Sequence, residues 1–261
     1  MNGVWVVNIG NTRTTAAVVR GGRVMRRLDR PTGPVSAADA DACLARLGPA
    51  RRVDGAIVAS VVPARTAAWR QALRRALRGP VIELTHRRRL GVAVSYPRPA
   101  GLGPDRLAGV AAAAARFRGP LIVVDVGTAA TFNVVLPGRG FVGGVIAPGP
   151  AMMLDYLADR TARLPRLGPG AGAAPRRAIG RSTREAMRIG AAAGYRGLVG
   201  GILAALRREP GLARARVIAT GGGVRAAFPR PARGVTIVPD LTLLGLAHVF
   251  ALNRPQRSAE G

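Results

Sequence analysis

Three segments of this chain share one form: a short apolar strand that ends in a turn rich in glycine and threonine. They read NIGNT from Asn8, DVGTAAT from Asp125 and ATGGG from Ala219. Glycine after a strand lets backbone N–H groups approach a phosphate closely. One such turn alone is weak evidence because glycine is common after strands. Three of them in this order predict a nucleotide site, with phosphates at the first two turns and adenosine at the third.

The first two turns also predict a duplicated architecture. Residues 4–9 and 121–126 are both expected to be buried strands, and each is followed by a threonine-containing turn and a second strand. Repetition on this scale indicates two related half-domains. We therefore expect an N-terminal half over residues 1–118, a C-terminal half over residues 119–252 and a disordered polar tail over residues 253–261.

The composition removes several kinds of chemistry. The chain has no lysine, so all 40 Lys and Arg residues are arginine, and a Walker-type lysine or a Schiff base is excluded. His86, His248 and Cys43 are too few for a zinc site. A single cysteine suits a reducing compartment. Because the sequence has no signal peptide and no charge-free apolar run of membrane-spanning length, we expect a cytoplasmic protein without a membrane partner.

The net charge of +27 has two interpretations. It reflects biased codon usage in a chain rich in Arg, Ala, Gly and Pro, or it reflects affinity for nucleic acid or other polyanions. The arginines are scattered, and the longest basic run is Arg87-Arg88-Arg89. The aromatic content of 4% leaves little for base stacking. We expect no specific nucleic-acid partner, and a basic nucleic-acid-binding protein remains an alternative.

The order of the three turns resembles the superfamily that contains acetate and sugar kinases, heat-shock ATPases and actin. This resemblance implies an α/β fold made of two ribonuclease-H-like (actin-like ATPase) half-domains with a nucleotide cleft between them.

Further motifs narrow the resemblance to one family. The chain contains GPDR from Gly103, DVGTAAT from Asp125, GGVIAPG from Gly143, GRST from Gly180 and PDLTLLGL from Pro239. In this order and spacing they resemble type III pantothenate kinase, over nearly the whole chain. The resemblance implies transfer of the γ-phosphoryl group of ATP to pantothenate, which gives 4′-phosphopantothenate in the first step of coenzyme A synthesis. It also implies Mg²⁺, a monovalent cation (K⁺ or NH₄⁺) and a homodimer.

The family's substrate site maps onto a second set of residues. The resemblance implies that Asp105 is the general base and that Arg106 binds the pantothenate carboxylate in a forked geometry. The implied substrate contacts are Tyr96, Gly103, Pro104, Asp105, Arg106 and Thr183. Each has a plain structural alternative: Asp105 and Thr183 could cap helices, Arg106 could be a solvated helix residue, and Tyr96 could be a half-buried loop residue.

The nucleotide and cation contacts follow from the three turns. By resemblance, Asp125 binds the monovalent cation through oxygen, which hard cations prefer. The implied ATP contacts are Asn8, Ile9, Gly10, Asn11, Thr12, Arg13, Thr14, Thr15, Thr128, Gly221 and Gly222.

The chain departs from the family at its first motif, which is DxGNT in the family and NIGNT here. Asn8 keeps a carbonyl oxygen but loses the negative charge that helps to organise magnesium. If that aspartate lies in the outer shell of the metal, its loss typically costs about 10–100-fold in metal affinity or activity. The sequence therefore also allows a catalytically weak or inactive kinase-like protein with a binding or regulatory role.

Overall fold

The computed structural model describes residues 2–168, 177–230 and 234–255. It contains two compact units. Unit 1 consists of the chain up to Phe117, the short segment Arg139–Phe141 and the chain from Asp240 onward. Unit 2 consists of Arg118–Gly138 and Val142–Pro239. Each unit is built around one five-stranded sheet with helices packed on it.

The sheet of unit 1 forms because its central strands are apolar on both faces. Its strands are β1 (Gly3–Ile9), β2 (Arg13–Arg20), β3 (Arg23–Pro31), β4 (Val53–Ser60) and β5 (Val81–Glu83). Their order across the sheet is β3-β2-β1-β4-β5, with β1 antiparallel to β2 and parallel to β4. Residues Val4 to Val7 of β1 are all buried, which is typical of a central strand covered on both sides.

The described residues of unit 1 form four α-helices. They are α1 (Ala37–Leu47), α2 (Pro63–Ala76), α3 (Pro104–Arg116) and α7 (Leu241–Asn253). Helices α1 and α2 contribute Leu44 and Trp69 to one core cluster with strands β1, β2 and β4. Helices α3 and α7 pack closely on each other, since a Cβ atom at Gly245 would lie only 1.9 Å from the Ala108 carbonyl oxygen.

Unit 2 repeats this plan. Its strands are β6 (Leu121–Val126), β7 (Ala129–Leu136), β8 (Gly140–Pro148, whose first two residues belong to unit 1), β9 (Arg216–Thr220) and β10 (Val235–Ile237). Its helices are α4 (Pro150–Arg160), α5 (Thr183–Arg208) and α6 (Val224–Ala227). The strand order β8-β7-β6-β9-β10 is the same as in unit 1, and β6 is antiparallel to β7 and parallel to β9. The duplication that the turns predict is therefore present in the sheets.

The structure differs from the expected domain limits at the C-terminal end. Residues 119–252 were expected to form one half, but α7 packs on α3 and β1 of unit 1. Helix α7 is apolar on most of its surface, so its sequence indicates burial without indicating which sheet it covers. Of the predicted disordered tail over 253–261, residues 256–261 lie outside the described residues.

Helix α5 is a single helix of 26 residues despite its internal glycines. By length and composition alone it could span a bilayer, but core helices of soluble proteins pass the same test, so this is weak evidence. Its buried residues Tyr195, Val199 and Leu203 pack into the core of unit 2.

Candidate functional site

The first turn of the motif series connects β1 to β2 in unit 1. Gly10 donates its backbone N–H to the Arg13 carbonyl at 3.0 Å, and a Cβ atom at residue 10 would lie 3.0 Å from the same oxygen. Glycine therefore fits this tight turn best. Asn11, Thr12 and Arg13 are exposed. The turn thus presents an amide, a hydroxyl and a guanidinium at the surface of unit 1, which suits an anionic ligand.

Three of the predicted ATP contacts have buried side chains. Ile9 is completely buried, and Thr14 and Thr15 are 3% and 7% exposed. The Thr14 hydroxyl pairs with that of Thr32 at 2.8 Å. These side chains pack in the core or bond neighbouring strands to each other, so we expect any contact of these residues with a nucleotide to be made by their backbone groups.

Thr15 also joins a charged network on β3. Its hydroxyl donates to Asp29 at 2.6 Å, and Arg27 donates to the same carboxylate and to Asp240 at the start of α7. Partial burial would raise the pKa of Asp29, but the hydrogen bonds from Arg27 and Thr15 outweigh this effect and lower its pKa. Asp29 is thus engaged in holding β3.

Asn8 lies half-buried near the end of β1, directly opposite Thr15 on β2 and Ala59 on β4. Residues 8–15 contain no carboxylate. Within residues 8–15, an ion bound here would find only neutral oxygen atoms. The loss of charge that the sequence indicates at Asn8 is therefore not restored within the turn.

The second turn connects β6 to β7 in unit 2 and has a similar form. Gly127 donates its N–H to the Ala129 carbonyl at 3.0 Å, and Gly149 donates to the Thr128 carbonyl at 2.9 Å. Gly127 and Thr128 are exposed, while Asp125 is half-buried on β6 opposite Thr131 and Thr220. The turn therefore offers the Thr128 side chain to a ligand and holds one carboxylate beneath it.

The third turn follows β9 and crosses the end of β6. Gly223 donates its N–H to the Val126 carbonyl at 2.8 Å. Gly221 has φ of +97°, and a Cβ atom there would lie 2.5 Å from Asp125 Oδ1 and 2.4 Å from the Val126 carbonyl oxygen. The structure thus brings Asp125 and Gly221 together, and only glycine, which has no Cβ atom, allows this close approach. Gly222 is exposed, with no atom within 4 Å of its would-be Cβ.

This arrangement tests whether a cation could be held in unit 2. The Asp125 carboxylate and the Val126 carbonyl both approach the Gly221 backbone closely, and oxygen atoms of these two kinds are the ligands that hard cations prefer. The chemistry of these donors fits a cation site at Asp125. Within the described part of the chain, no three His, Cys, Asp or Glu side chains gather to hold a metal by themselves.

The predicted catalytic residue lies in unit 1, in the first turn of α3. Asp105 is half-buried, and its Oδ1 accepts the backbone N–H of Arg106 at 2.8 Å. Gly103 is the N-cap and Pro104 the first residue of the helix. A Cβ atom at Gly103 would lie 2.6 Å from Asp105 Oδ1, so this glycine leaves room for the carboxylate.

Two further predicted substrate contacts meet at a residue that the sequence analysis missed. The Arg106 guanidinium carbon lies 5.5 Å from the centre of the Phe141 ring, and the Tyr96 ring stacks on Phe141 at 6.1 Å. Phe141 is completely buried. The chain has only five phenylalanines. The presence of this large aromatic side chain was the one sequence feature that could have indicated a role for residue 141.

Thr183, the remaining predicted substrate contact, is the first residue of α5 in unit 2 and is exposed. The helix cap is Ser182, whose hydroxyl accepts the Glu185 N–H at 3.2 Å. The capping alternative therefore does not apply to Thr183. The other substrate contacts named above all belong to unit 1.

Comparison with known proteins agrees with the motif series. A family model described as type III pantothenate kinase matches residues 4–205. A type III pantothenate kinase from Akkermansia muciniphila is 46% identical over 85% of this chain and 87% of its own length.

Solved structures with the same fold have much lower sequence identity. A protein described as a Baf family transcriptional activator from Campylobacter jejuni has a TM-score of 0.60 and 16% identity, over 95% of this chain and 97% of that one. A ROK family glucokinase from Streptomyces griseus, in complex with glucose and AMPPNP, has a TM-score of 0.51 and 16% identity, over 96% and 98%. At this identity they bear on the fold alone, and the predicted fold class of two ribonuclease-H-like halves is confirmed.

Proposed function

Because this chain belongs to the type III pantothenate kinase family, we propose that it transfers the γ-phosphoryl group of ATP to the hydroxyl of pantothenate. The product would be 4′-phosphopantothenate, the first intermediate on the way to coenzyme A. Family membership supports the activity, and the cluster of Asp105, Arg106 and Tyr96 around the start of α3 is the observation that carries the assignment of roles.

Asp105 is proposed as the general base. Its carboxylate accepts the proton of the attacking hydroxyl, whose oxygen forms the new bond to the γ-phosphorus while the bond from phosphorus to the ADP oxygen breaks. Phosphoryl transfer depends mostly on positioning and on neutralising charge. Two observations support this role. Gly103 leaves room for the Asp105 carboxylate beside the backbone, and Asp105 is only half-buried, so its carboxylate is held in one position but stays accessible.

Arg106 and Tyr96 are proposed to bind pantothenate. Arg106 offers a planar, forked set of donors that matches a carboxylate. Tyr96 is half-buried and presents an aromatic face close to the same ring as Arg106. Gly103 and Pro104 would shape the approach through their backbone, and Thr183 of unit 2 would supply a hydroxyl.

ATP is the proposed phosphoryl donor. The exposed side chains of Asn11, Thr12 and Arg13 and the Gly10 backbone would contact its phosphates from unit 1. The exposed Thr128 and the open surface at Gly222 would contact the nucleotide from unit 2.

The remaining predicted ATP contacts do not present an exposed side chain. They would contact the nucleotide through backbone groups, or would hold the first turn in its conformation; these residues are Asn8, Ile9, Thr14 and Thr15.

Two cations complete the proposal. Mg²⁺ would be held by the ATP phosphates and by the uncharged carbonyl oxygen of the Asn8 side chain. It would neutralise negative charge on the phosphoryl group that is transferred. A monovalent cation, K⁺ or NH₄⁺, would be held at Asp125, whose carboxylate lies beside the Val126 carbonyl at the Gly221 turn.

We further propose that the enzyme is a cytoplasmic homodimer. Met152 and Tyr156 on α4 are large apolar residues that are 45% and 64% exposed. Gly197 and Gly201 of α5 have no atom within 4 Å of a would-be Cβ, which leaves space for a second helix. The single cysteine, Cys43, suits a reducing compartment.

The proposed activity is tested by measuring ADP release that depends on pantothenate, with Mg²⁺ and K⁺ present. We expect turnover by the native chain and a loss of at least about 100-fold in kcat for Asp105→Asn, the scale of a general-base contribution. Thermal melting checks that the variant is folded. Release of ADP at the same rate without pantothenate, or full activity in Asp105→Asn, would contradict the proposal.

A further inference from the structure

Phe141 reaches the proposed pantothenate site from a separate segment of unit 1. The predicted substrate contacts in unit 1 come from the loop before α3 and from α3 itself, whereas Phe141 lies at the start of β8. Its ring lies within 5.5 Å of the Arg106 guanidinium carbon and 6.1 Å of the Tyr96 ring centre, with 26° between the two ring planes. One buried ring therefore contacts both side chains.

The backbone holds this ring in a fixed place. Phe141 donates its N–H to the Ala93 carbonyl at 2.8 Å and accepts the N–H of Ser95 at 2.9 Å. The Ser95 hydroxyl donates to the Arg139 carbonyl at 2.7 Å. These bonds tie the loop that carries Tyr96 to the segment that carries Phe141.

Gly140 allows this close approach. It has φ of +73°, and a Cβ atom there would lie 2.2 Å from the Ala93 carbonyl oxygen. Any other residue would push the two segments apart. The pairing of the loop with Phe141 is thus built into the backbone.

We propose that Phe141 is a positioning residue that orients Arg106, through a cation–π contact, for binding the pantothenate carboxylate. The inference rests on the proposed function, because it assumes that Arg106 binds that carboxylate. An arginine side chain has many rotamers and loses conformational entropy when it binds a ligand. An aromatic ring on one face of the guanidinium limits the orientations of this group. The N–H donors at the edge of the guanidinium stay available to a carboxylate. Tyr96 stacks on the Phe141 ring and so helps to hold that ring in place.

Substitution of Phe141 by leucine removes the ring but keeps an apolar side chain. We expect the KM for pantothenate to rise about tenfold, which is within the range for loss of a partly desolvated cation–π contact, while the KM for ATP changes less than about twofold. Phe132→Leu is the matched control, because Phe132 is also completely buried but lies in the core of unit 2. Equal changes in both KM values, or the same change in Phe132→Leu, would overturn the inference.

Fluorinated phenylalanines provide a second test that preserves the size of the ring and hence the fold. Successive fluorination weakens the negative face of the ring and with it the attraction for a guanidinium. Pantothenate affinity, measured by calorimetry, should fall with each fluorine at position 141 and show no trend at position 132. A flat series at position 141 would overturn the inference.

These experiments distinguish a failure of the proposed function from a failure of the proposed role of Phe141. If the native chain does not bind pantothenate at all, the proposed function fails and the inference fails with it. If the native chain binds and phosphorylates pantothenate but the variants at position 141 behave as the native chain does, only the inference on Phe141 fails.

Discussion

At the scale of single residues, Asn8 is the main departure from the family pattern. It occupies the end of β1 in register with Thr15 and Ala59, as a strand-end aspartate would. The nearest acidic residue along the same row of the sheet is Asp29 on β3, and its carboxylate is engaged by Arg27 and Thr15. The turn therefore has a neutral amide where the family has a carboxylate, and in the proposed reaction the charge of Mg²⁺ would be balanced mainly by ATP.

The substitution Asn8→Asp tests this view of the turn. A carboxylate at this position should strengthen Mg²⁺ binding in the presence of ATP by about 10-fold or more, the usual effect of an outer-shell partner. The measurement is the Mg²⁺ concentration that gives half-maximal turnover, with Asn8→Ser as the control of similar polarity. An unchanged Mg²⁺ dependence in Asn8→Asp would show that the charge at this position has no role in this chain.

A second residue-scale prediction concerns Tyr195, whose hydroxyl is buried in unit 2 without a hydrogen-bond partner in the described part of the chain. Burial raises its pKa to about 12. Removing an unsatisfied buried polar group relieves a desolvation penalty of about 1–3 kcal/mol, so Tyr195→Phe should leave the stability unchanged or increase it. Denaturant unfolding measures this, and a loss of more than about 1 kcal/mol would mean that the hydroxyl has a partner, such as a buried water.

At the scale of elements, the sequence predicted the central strand of each half and the strand that follows it, but not how all elements pack on one another. The apolar strands β1, β4 and β6 were predictable because burial on both faces leaves a continuous apolar run. Strand β3 is an arginine-rich edge strand with mostly exposed residues, so it lacks the alternation that would have revealed it. Helix α7 was predictable as a helix, but its packing on unit 1 depends on tertiary contacts such as Gly245 against Ala108.

The same limit applies to the candidate site. The motifs placed Asp105, Arg106 and Asp125 on the correct elements, since their positions follow from local helix and strand signals. The burial of Thr14 and Thr15 could not be read from the motif, because it depends on the pairing of β2 with β3. The contact of Phe141 with Arg106 joins segments far apart in the chain, and no local pattern encodes it.

The third turn gives a prediction for an element. Gly221→Ala introduces a Cβ atom 2.4 Å from the Val126 carbonyl oxygen at a residue with positive φ, so the turn must move away from Asp125. We expect a loss of stability of about 1–3 kcal/mol, from the strained backbone conformation, and a weaker dependence of activity on K⁺. Calorimetric unfolding and a K⁺ titration measure the two effects.

The neighbouring Gly222→Ala is the matched control. It has open space at its would-be Cβ, so the stability of the free protein should not change. If the nucleotide passes close to residue 222, as proposed, ATP affinity should still fall. Equal destabilisation by the two substitutions would contradict the geometry of this turn.

At the scale of the whole molecule, two properties bear on binding partners: the charge of +27 and the exposed apolar residues of unit 2. A charge of this size attracts polyanions without selectivity, and such binding falls steeply with salt. Family membership assigns the activity to phosphoryl transfer, so a nucleic-acid-binding function is not favoured. In the proposed homodimer the exposed apolar residues of α4 would lie in the interface, because exposed apolar patches mark interaction sites.

The substitution Tyr156→Glu tests the proposed homodimer. A carboxylate placed in an apolar interface is desolvated without a partner, so dimerisation should weaken by about 2–5 kcal/mol. Analytical ultracentrifugation over a range of protein concentrations measures this, with Ile237→Glu as the control at an exposed apolar residue of β10. A native chain that is monomeric at all concentrations, or a Tyr156→Glu variant that associates as tightly as the native chain, would contradict the proposal.

The measurement that tests the central claim most directly is identification of the reaction product by ³¹P NMR. The native chain is incubated with ATP, pantothenate, Mg²⁺ and K⁺, and the phosphorus signals are followed over time. We predict a new phosphomonoester signal that splits through coupling to the protons of one CH₂ group, that grows in step with ADP, and that is absent with Asp105→Asn. Formation of ADP with inorganic phosphate alone, or no reaction in the native chain and in Asn8→Asp, would contradict the assignment of this protein as a working pantothenate kinase.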